Sequence, residues 1–255
     1  MTLELESRRI AAVKIVKLAG ERAKALFEQR GRFLAECKAA GEFVSEADRE
    51  IEDLIREEIN RELPGENIVG EERGGSPDGD FWCVDPIDGT SNFLCGLPLW
   101  GVSVAYCRSG TPIAGAVFLP VLDTLLSAAS GSGAHLNGTA LRSKTSAPVP
   151  TVAIGINNNW NKGAIRSVED ALLENQFEIV RYRCAVAGLA FAALGRLDGY
   201  LECGLNLWDA AAGSLICSEV GLVSRLENTG TNGKIAVLAG TQQLQSAIGS
   251  LTGFE

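Results

Sequence analysis

Three short segments place acidic side chains where an apolar run gives way to a turn or a helix. They are Ile68-Val69-Gly70-Glu71-Glu72, Trp82-Cys83-Val84-Asp85-Pro86-Ile87-Asp88-Gly89-Thr90, and Leu207-Trp208-Asp209-Ala210-Ala211-Ala212-Gly213. Each carboxylate is therefore expected at the rim of a sheet, where rigid backbone supports a site. Carboxylates that converge in a partly dehydrated cleft raise one another's pKa unless a cation neutralises them. The turn from Asp85 to Thr90 offers oxygen donors and neither His nor Cys, which favours the hard cations Mg²⁺ or Mn²⁺ over zinc or copper. Pro86 predicts an end to the strand ladder, and Gly89 permits a close backbone approach. The amides of Gly89, Thr90 and Ser91 would then form an anion-binding edge suited to phosphate.

Composition removes the main alternatives. The chain has one histidine, His135, and the Gly-Ala-His-Leu-Asn-Gly turn around it contains no nucleophile pattern, so Ser-His-Asp and Cys-His chemistry are excluded. The cysteines (Cys37, Cys83, Cys95, Cys107, Cys184, Cys203 and Cys217) form no C-x-x-C pair, which argues against a disulfide framework or a zinc ribbon and for small buried apolar residues. With 23 Lys+Arg against 32 Asp+Glu, the formal charge of -9 repels nucleic acid and anionic membranes, and no basic run offsets it. A hydrophobic fraction of 46% with 22% charged residues specifies a folded chain. No run approaches the ~18 apolar residues of a membrane span, and the first residues lack the apolar core of a signal peptide, so a cytoplasmic location is expected.

The elements that must position these residues follow from periodicity. Across the 255 residues, an amphipathic helix is predicted from about Glu4 to Gln29, with Ile10, Val13 and Val16 at helical spacing. A break follows at Gly31 and the polar stretch 38–42. Ser45 with Asp48 three residues on then signals a helix carrying Ile51, Leu54, Ile55 and Ile59 and ending at Pro64-Gly65. Strands are predicted at 67–69, 81–84, 102–106, 113–119 and 124–128. From Val152 strands (152–156, 177–182, 199–202, 235–239) alternate with helices (162–174, 186–194, 208–220, 242–251), an α/β pattern. The boundary is placed in the 143–150 stretch, which gives an N-terminal α+β half at 1–145 holding metal and phosphate and a C-terminal α/β substrate half at 146–255.

Taken together, VSEADRE (44–50), GEE (70–72), WCVDPIDGTSNF (82–93), GAHLNG (133–138), GRLDGYLE (195–202) and WDAAAG (208–213) resemble, in order, the inositol monophosphatase family of magnesium-dependent, lithium-sensitive sugar phosphatases. The resemblance implies a five-layered αβαβα sandwich of the inositol monophosphatase/fructose-1,6-bisphosphatase type and a homodimer. It implies that Glu71, Asp85 and the Ile87 carbonyl hold one Mg²⁺ and that Asp85, Asp88 and Asp209 hold a second, with a third, weaker ion on Glu71 and waters. Mn²⁺ would substitute. Thr90 backed by Asp48, with Glu71, would prepare the attacking water, and the amides of Gly89 and Thr90 would hold phosphate. Asp88, Glu202, Ala185 and Arg183 fall at substrate-contacting positions.

The departures concern the alcohol pocket. Many members carry Gly-Ser-Ala-Ala where this chain has Arg183-Cys184-Ala185-Val186, and several have His where it has Asn206. Cys95 stands where a His often follows Asn-Phe, and Leu222 replaces the second Gly of a common pair. Arg183 could reach a second anionic group or be a surface arginine. The expected substrate is a small polyol or sugar phosphate such as inositol monophosphate. The alternatives are a histidinol-phosphate or adenosine 3′-phosphate phosphatase of the same fold, or a regulatory binding protein with secondary phosphatase activity.

Overall fold

In the computed structural model, which describes residues 2–32, 36–39, 42–141, 147–230 and 233–249, helices and sheets alternate in layers. The first half runs α1 (Thr2–Glu28), β1 (Glu36–Ala39), β2 (Glu42–Val44), α2 (Glu46–Glu62), β3 (Asn67–Gly70), β4 (Asp80–Asp88) and α3 (Thr90–Cys95). β5 (Gly101–Arg108), β6 (Thr111–Leu119), β7 (Thr124–Ala129), β8 (Ala134–Leu136) and β9 (Thr139–Leu141) follow. The second half comprises β10 (Thr151–Ile154), α4 (Lys162–Glu174), β11 (Glu178–Val180), α5 (Ala185–Ala193), β12 (Gly199–Leu205) and α6 (Leu207–Glu219). It closes with β13 (Val223–Asn228), β14 (Ile235–Gly240) and α7 (Gln242–Ile248).

A seven-stranded sheet in the order β3-β4-β5-β6-β7-β8-β9 is antiparallel except where β3 meets β4. The five-stranded sheet, β11-β10-β12-β14-β13, pairs its first three strands in parallel. α1 and α2 cover the outer face of the larger sheet, α5 and α6 fill the space between the two sheets, and α4 and α7 cover the far face of the smaller one. This is the five-layered αβαβα sandwich. The expected boundary between residues 145 and 146 lies outside the described residues.

Small side chains explain the close layering. α1 buries Ala12, Ile15, Val16, Ala19 and Ala23, a stripe at spacings of three and four, while Ile10 is 55% exposed. The stripe expected through Ile10, Val13 and Val16 is therefore displaced: Val16 lies on it and Val13 packs at its edge, while Ile10 points to solvent. At Gly20 an added Cβ would lie 2.4 Å from Phe118, so the helix approaches the strand too closely for any side chain. α5 and α6, rich in Ala, pack between the sheets for the same reason: burial on both sides leaves no polar face.

Other differences from the sequence reading have local causes. The stretch read as a break contains the β1–β2 hairpin, with residues 40–41 outside the described set. The turn around His135 is a hairpin of two three-residue strands, with His135 opposite Ser127. β13 escaped notice because Val-Ser-Arg-Leu-Glu-Asn is an edge strand with four of its six residues polar. Among the described cysteines, Cys95 is exposed and Cys83, Cys107, Cys184, Cys203 and Cys217 are buried.

Candidate active site

β4 does not stop at Pro86. It continues to Asp88 through an irregularity: Asp85 pairs with Ser103 and Asp88 with Gly101, three steps on one strand against two on the other. Phe81 and Cys83 face the core between the sheets and Trp82 and Val84 the outer core; beyond the extra residue Ile87 faces the outer core. In an unbroken strand, residues three apart point to opposite faces, and one inserted residue reverses the parity. Asp85 and Asp88 therefore share the inner face. The proline that was expected to end the ladder sits at the bulge that aligns them.

Glu71 follows β3 on the same inner side, in a turn closed by reciprocal hydrogen bonds between Gly70 and Gly74 of 3.0 and 3.1 Å. Asp209 arrives from the opposite layer as the third residue of α6, its Oδ2 accepting the Asn206 N–H at 2.8 Å. Glu71, Asp85 and Asp209 bring one carboxylate oxygen each within 4.8 Å of one another. Asp88 lies beside this trio but is tied to α5: its Oδ2 accepts the Val186 N–H at 2.5 Å and the Cys184 thiol at 3.0 Å.

Three helix N-termini thus meet at the cluster. Gly89, at φ +86°, caps α3; an added Cβ there would lie 3.1 Å from both Cys184 Cβ and the Leu99 carbonyl, so only glycine fits. Within α3, the Asn92 and Phe93 amides turn back to the Gly89 carbonyl, and the amides before them are the donors a helix does not use internally. Thr90 Oγ1 lies 2.9 Å from Asp48 Oδ1 and 3.1 Å from the Ile87 carbonyl. Asp48 Oδ2 accepts both the Ser45 N–H at 2.8 Å and the Ser45 hydroxyl at 2.6 Å.

Burial and mutual repulsion dominate the electrostatics. Burial, with the charges of Glu71, Asp88 and Asp209, pushes Asp85 well above the usual carboxylate range. Burial pushes Asp88 up to about 7 against the opposing donors of Cys184 and Val186, and Asp209 up to about 8 with Asp88 adding to the rise. Asp48 is also raised by burial, against the donors of Ser45 and Thr90. Glu202, raised by burial, faces the middle layer from β12. It accepts from Asn157 Nδ2 at 2.8 Å on Oε1 and from the Tyr200 hydroxyl on Oε2.

The cluster fits a hard cation. Asp85 Oδ1 accepts the Ile87 N–H at 3.1 Å, but its buried Oδ2 has no hydrogen-bond partner among the described residues. A buried carboxylate with an oxygen that has no donor, in a group of three carboxylates, is what an oxygen-coordinated ion would satisfy. Sequence reasoning missed Tyr200 and Asn157 behind Glu202, the Cys184 thiol on Asp88, Glu52 behind the Glu71 turn, and Lys234, whose Nζ lies 2.7 Å from Asn206 Oδ1. Only Glu52 had a visible signal, its four-residue spacing from Asp48 along α2.

A five-layered sandwich with sheet-rim carboxylates gathered at three helix N-termini defines the class: a phosphoric monoester hydrolase. The family model described as "Inositol monophosphatase family" matches residues 4–252. The chain belongs to the inositol monophosphatase family. It is 35% identical to an inositol-1-monophosphatase of Mesorhizobium japonicum, over 83% of each chain. It is 34% identical to the Nus factor SuhB of Haemophilus influenzae, over 82% of this chain and 81% of that one. The extragenic suppressor protein suhB of Bartonella henselae superposes with a TM-score of 0.82 at 28% identity, over 97% of this chain and 98% of that one. Among the described residues, no helix is long and apolar enough to cross a membrane.

Proposed function

We propose that the protein is a Mg²⁺-dependent phosphomonoesterase that hydrolyses a small polyol or sugar phosphate, such as inositol monophosphate, by direct attack of water. The observation that carries this is the convergence of Glu71, Asp85 and Asp209, with the buried Asp85 Oδ2 left without a hydrogen-bond partner among the described residues. Glu71, Asp85, Asp88, Asp209 and the Ile87 carbonyl are the residues that would hold two to three Mg²⁺. Bound there, Mg²⁺ supplies positive charge against the phosphoryl oxygens and makes hydroxide available near neutral pH. The Thr90 hydroxyl, donating to Asp48, keeps its lone pairs to accept from the attacking water, and Glu71 takes part in preparing that water. The Gly89 and Thr90 amides hold phosphate oxygens. Asp88, Ala185, Glu202 and Arg183 line the alcohol side, where Arg183 gives the pocket a positive charge. A cytoplasmic homodimer inhibited by lithium belongs to the same reading.

The test is phosphate release across a panel of metabolite phosphates, with Mg²⁺ and with EDTA. Release from polyol or sugar phosphates in Mg²⁺, abolished by EDTA and restored by Mg²⁺, is the expected result, with Mn²⁺ a partial substitute. Full activity in EDTA would sink the metal mechanism. The similarity to a Nus factor supports a second reading, a regulatory binding protein with secondary phosphatase activity, and activity on no member of the panel would favour it.

A further inference from the structure

Glu52 is a charged residue with 0% exposure, one helical turn after Asp48 on α2. Its Oε2 accepts the Glu72 N–H at 2.6 Å, and its Oε1 accepts the Arg73 N–H at 3.0 Å and Arg56 Nε at 2.8 Å. Arg56 Nη2 in turn donates to the Gly74 carbonyl at 2.5 Å. The carboxylate therefore grips both amides that follow Glu71, and its counter-cation grips the end of the same turn. A Cβ added to Gly70 would lie 2.2 Å from Glu52 Oε1 and 2.6 Å from Cδ, so the carboxylate occupies the space a side chain at position 70 would need. Burying a carboxylate is costly even when paired, and an apolar residue would serve packing alone. Among the described residues, every hydrogen-bond partner of Glu52 is either the turn or the arginine that also holds the turn.

We propose that Glu52 is a positioning residue for Glu71. By holding the amides of residues 72 and 73 it fixes the turn so that the Glu71 carboxylate reaches Asp85 and Asp209. α2 thereby serves the site twice on one face, through Asp48 on Thr90 and through Glu52 on Glu71. The proposal rests on the reading of the acidic cluster as a cation site, and the glycine at 70 is part of the same device.

Mg²⁺ binding by calorimetry and amide hydrogen exchange of residues 71–74, both on the full chain, test it. Glu52→Gln offers an NH₂ group where the turn presents an N–H, so one of the two amides loses its acceptor. Gly70→Ala displaces the carboxylate by bulk without altering its charge. Both variants should bind Mg²⁺ about tenfold or more weakly, as losses behind a metal ligand do, and exchange residues 72 and 73 faster. Glu58→Gln, which breaks the ion pair of the buried Glu58 to the exposed Arg61 on the same helix, should lower melting without moving Mg²⁺ affinity. Affinities within twofold of wild type in both test variants would overturn the proposal, whatever happens to melting. Should the wild type bind no Mg²⁺, the cation reading alone falls and exchange decides the positioning role. Faster exchange at 72 and 73 in Glu52→Gln then sustains that role, and unchanged exchange refutes it.

Discussion

The Thr90 hydroxyl donates to Asp48 Oδ1 across 2.9 Å, joining the first turn of α3 to the first turn of α2 over 42 residues of sequence. Because Ser45 fixes the other oxygen of Asp48 twice, the carboxylate cannot turn away, and the direction of the Thr90 lone pairs is set. Thr90→Ala should lower kcat by about 10²-fold or more with a smaller change in KM, since a water-positioning hydroxyl acts in the transition state. If the hydroxyl only ties helix ends, the loss is ~1 kcal/mol of stability with normal turnover. Melting and kcat on one preparation separate the two.

Asp209→Asn isolates metal binding from folding. The Asn206 N–H that Asp209 accepts at 2.8 Å finds an amide oxygen in the same place, and a neutral side chain there removes both the repulsion Asp209 feels from Asp88 and its own contribution to the rise of Asp85. The variant should melt at or above the metal-free wild type yet lose about 10²-fold or more in turnover at ordinary Mg²⁺. Wild-type turnover at saturating Mg²⁺ would remove Asp209 from the site.

The raised carboxylates set a pH dependence for the metal-free protein. Asp209 at about 8 and Asp88 at about 7 lie above the ordinary 3.8 of an aspartate. Below about pH 4 both the folded and the unfolded chain hold these protons, so the native state carries no penalty. As pH rises from there to about 8, the unfolded chain has released protons that the native state retains. Stability therefore falls across that window. Melting measured in EDTA should decline from pH 5 to 8, and Mg²⁺ should raise it most at the upper end, because binding requires ionised ligands. Asp209→Asn should flatten the decline; a melting temperature that rises with pH in EDTA would contradict the assignment.

Much of this site was legible because its parts lie in short segments whose residue types carry their own chemistry: Asp85 and Asp88 around a proline, Gly89 at a left-handed cap, Asp209 opening an Ala-rich helix. The helix at Lys162–Glu174 was readable to the residue because Asn161 caps its start and its stripe is regular. What was not legible depended on pairing across the fold. One inserted residue opposite β5 decides which face Asp88 takes, and Pro86 alone argued for a broken strand. Cys184 looked like a small buried residue until α5 brought its thiol to Asp88. The two-helix start hid the β1–β2 hairpin, because strands of four and three residues leave no period to read.

Arg183, where the family resemblance leads one to expect glycine, has a φ of +56°, the left-handed geometry a glycine would adopt freely. Its Nη2 donates to Asn92 Oδ1 at 2.8 Å, and Asn92 is itself locked by Nδ2 bonds to the Leu99 and Tyr182 carbonyls at 2.6 and 2.7 Å. The Arg183 carbonyl lies 3.4 Å from where a Cβ on Gly89 would be, so the residue borders the α3 cap, and its side chain is exposed. If the α3 cap holds phosphate as proposed, a guanidinium carried beside it on a strained backbone would meet a second anionic group on the substrate. Arg183→Gly removes the charge and leaves the backbone its preferred geometry. It should raise KM about tenfold for substrates with a second phosphate or carboxylate, as one charge-assisted hydrogen bond would. Neither kcat nor the KM of a substrate with one phosphate should move, because uniform binding is lost and not transition-state stabilisation. Equal effects on singly and doubly anionic substrates, or none on either, would return Arg183 to the surface.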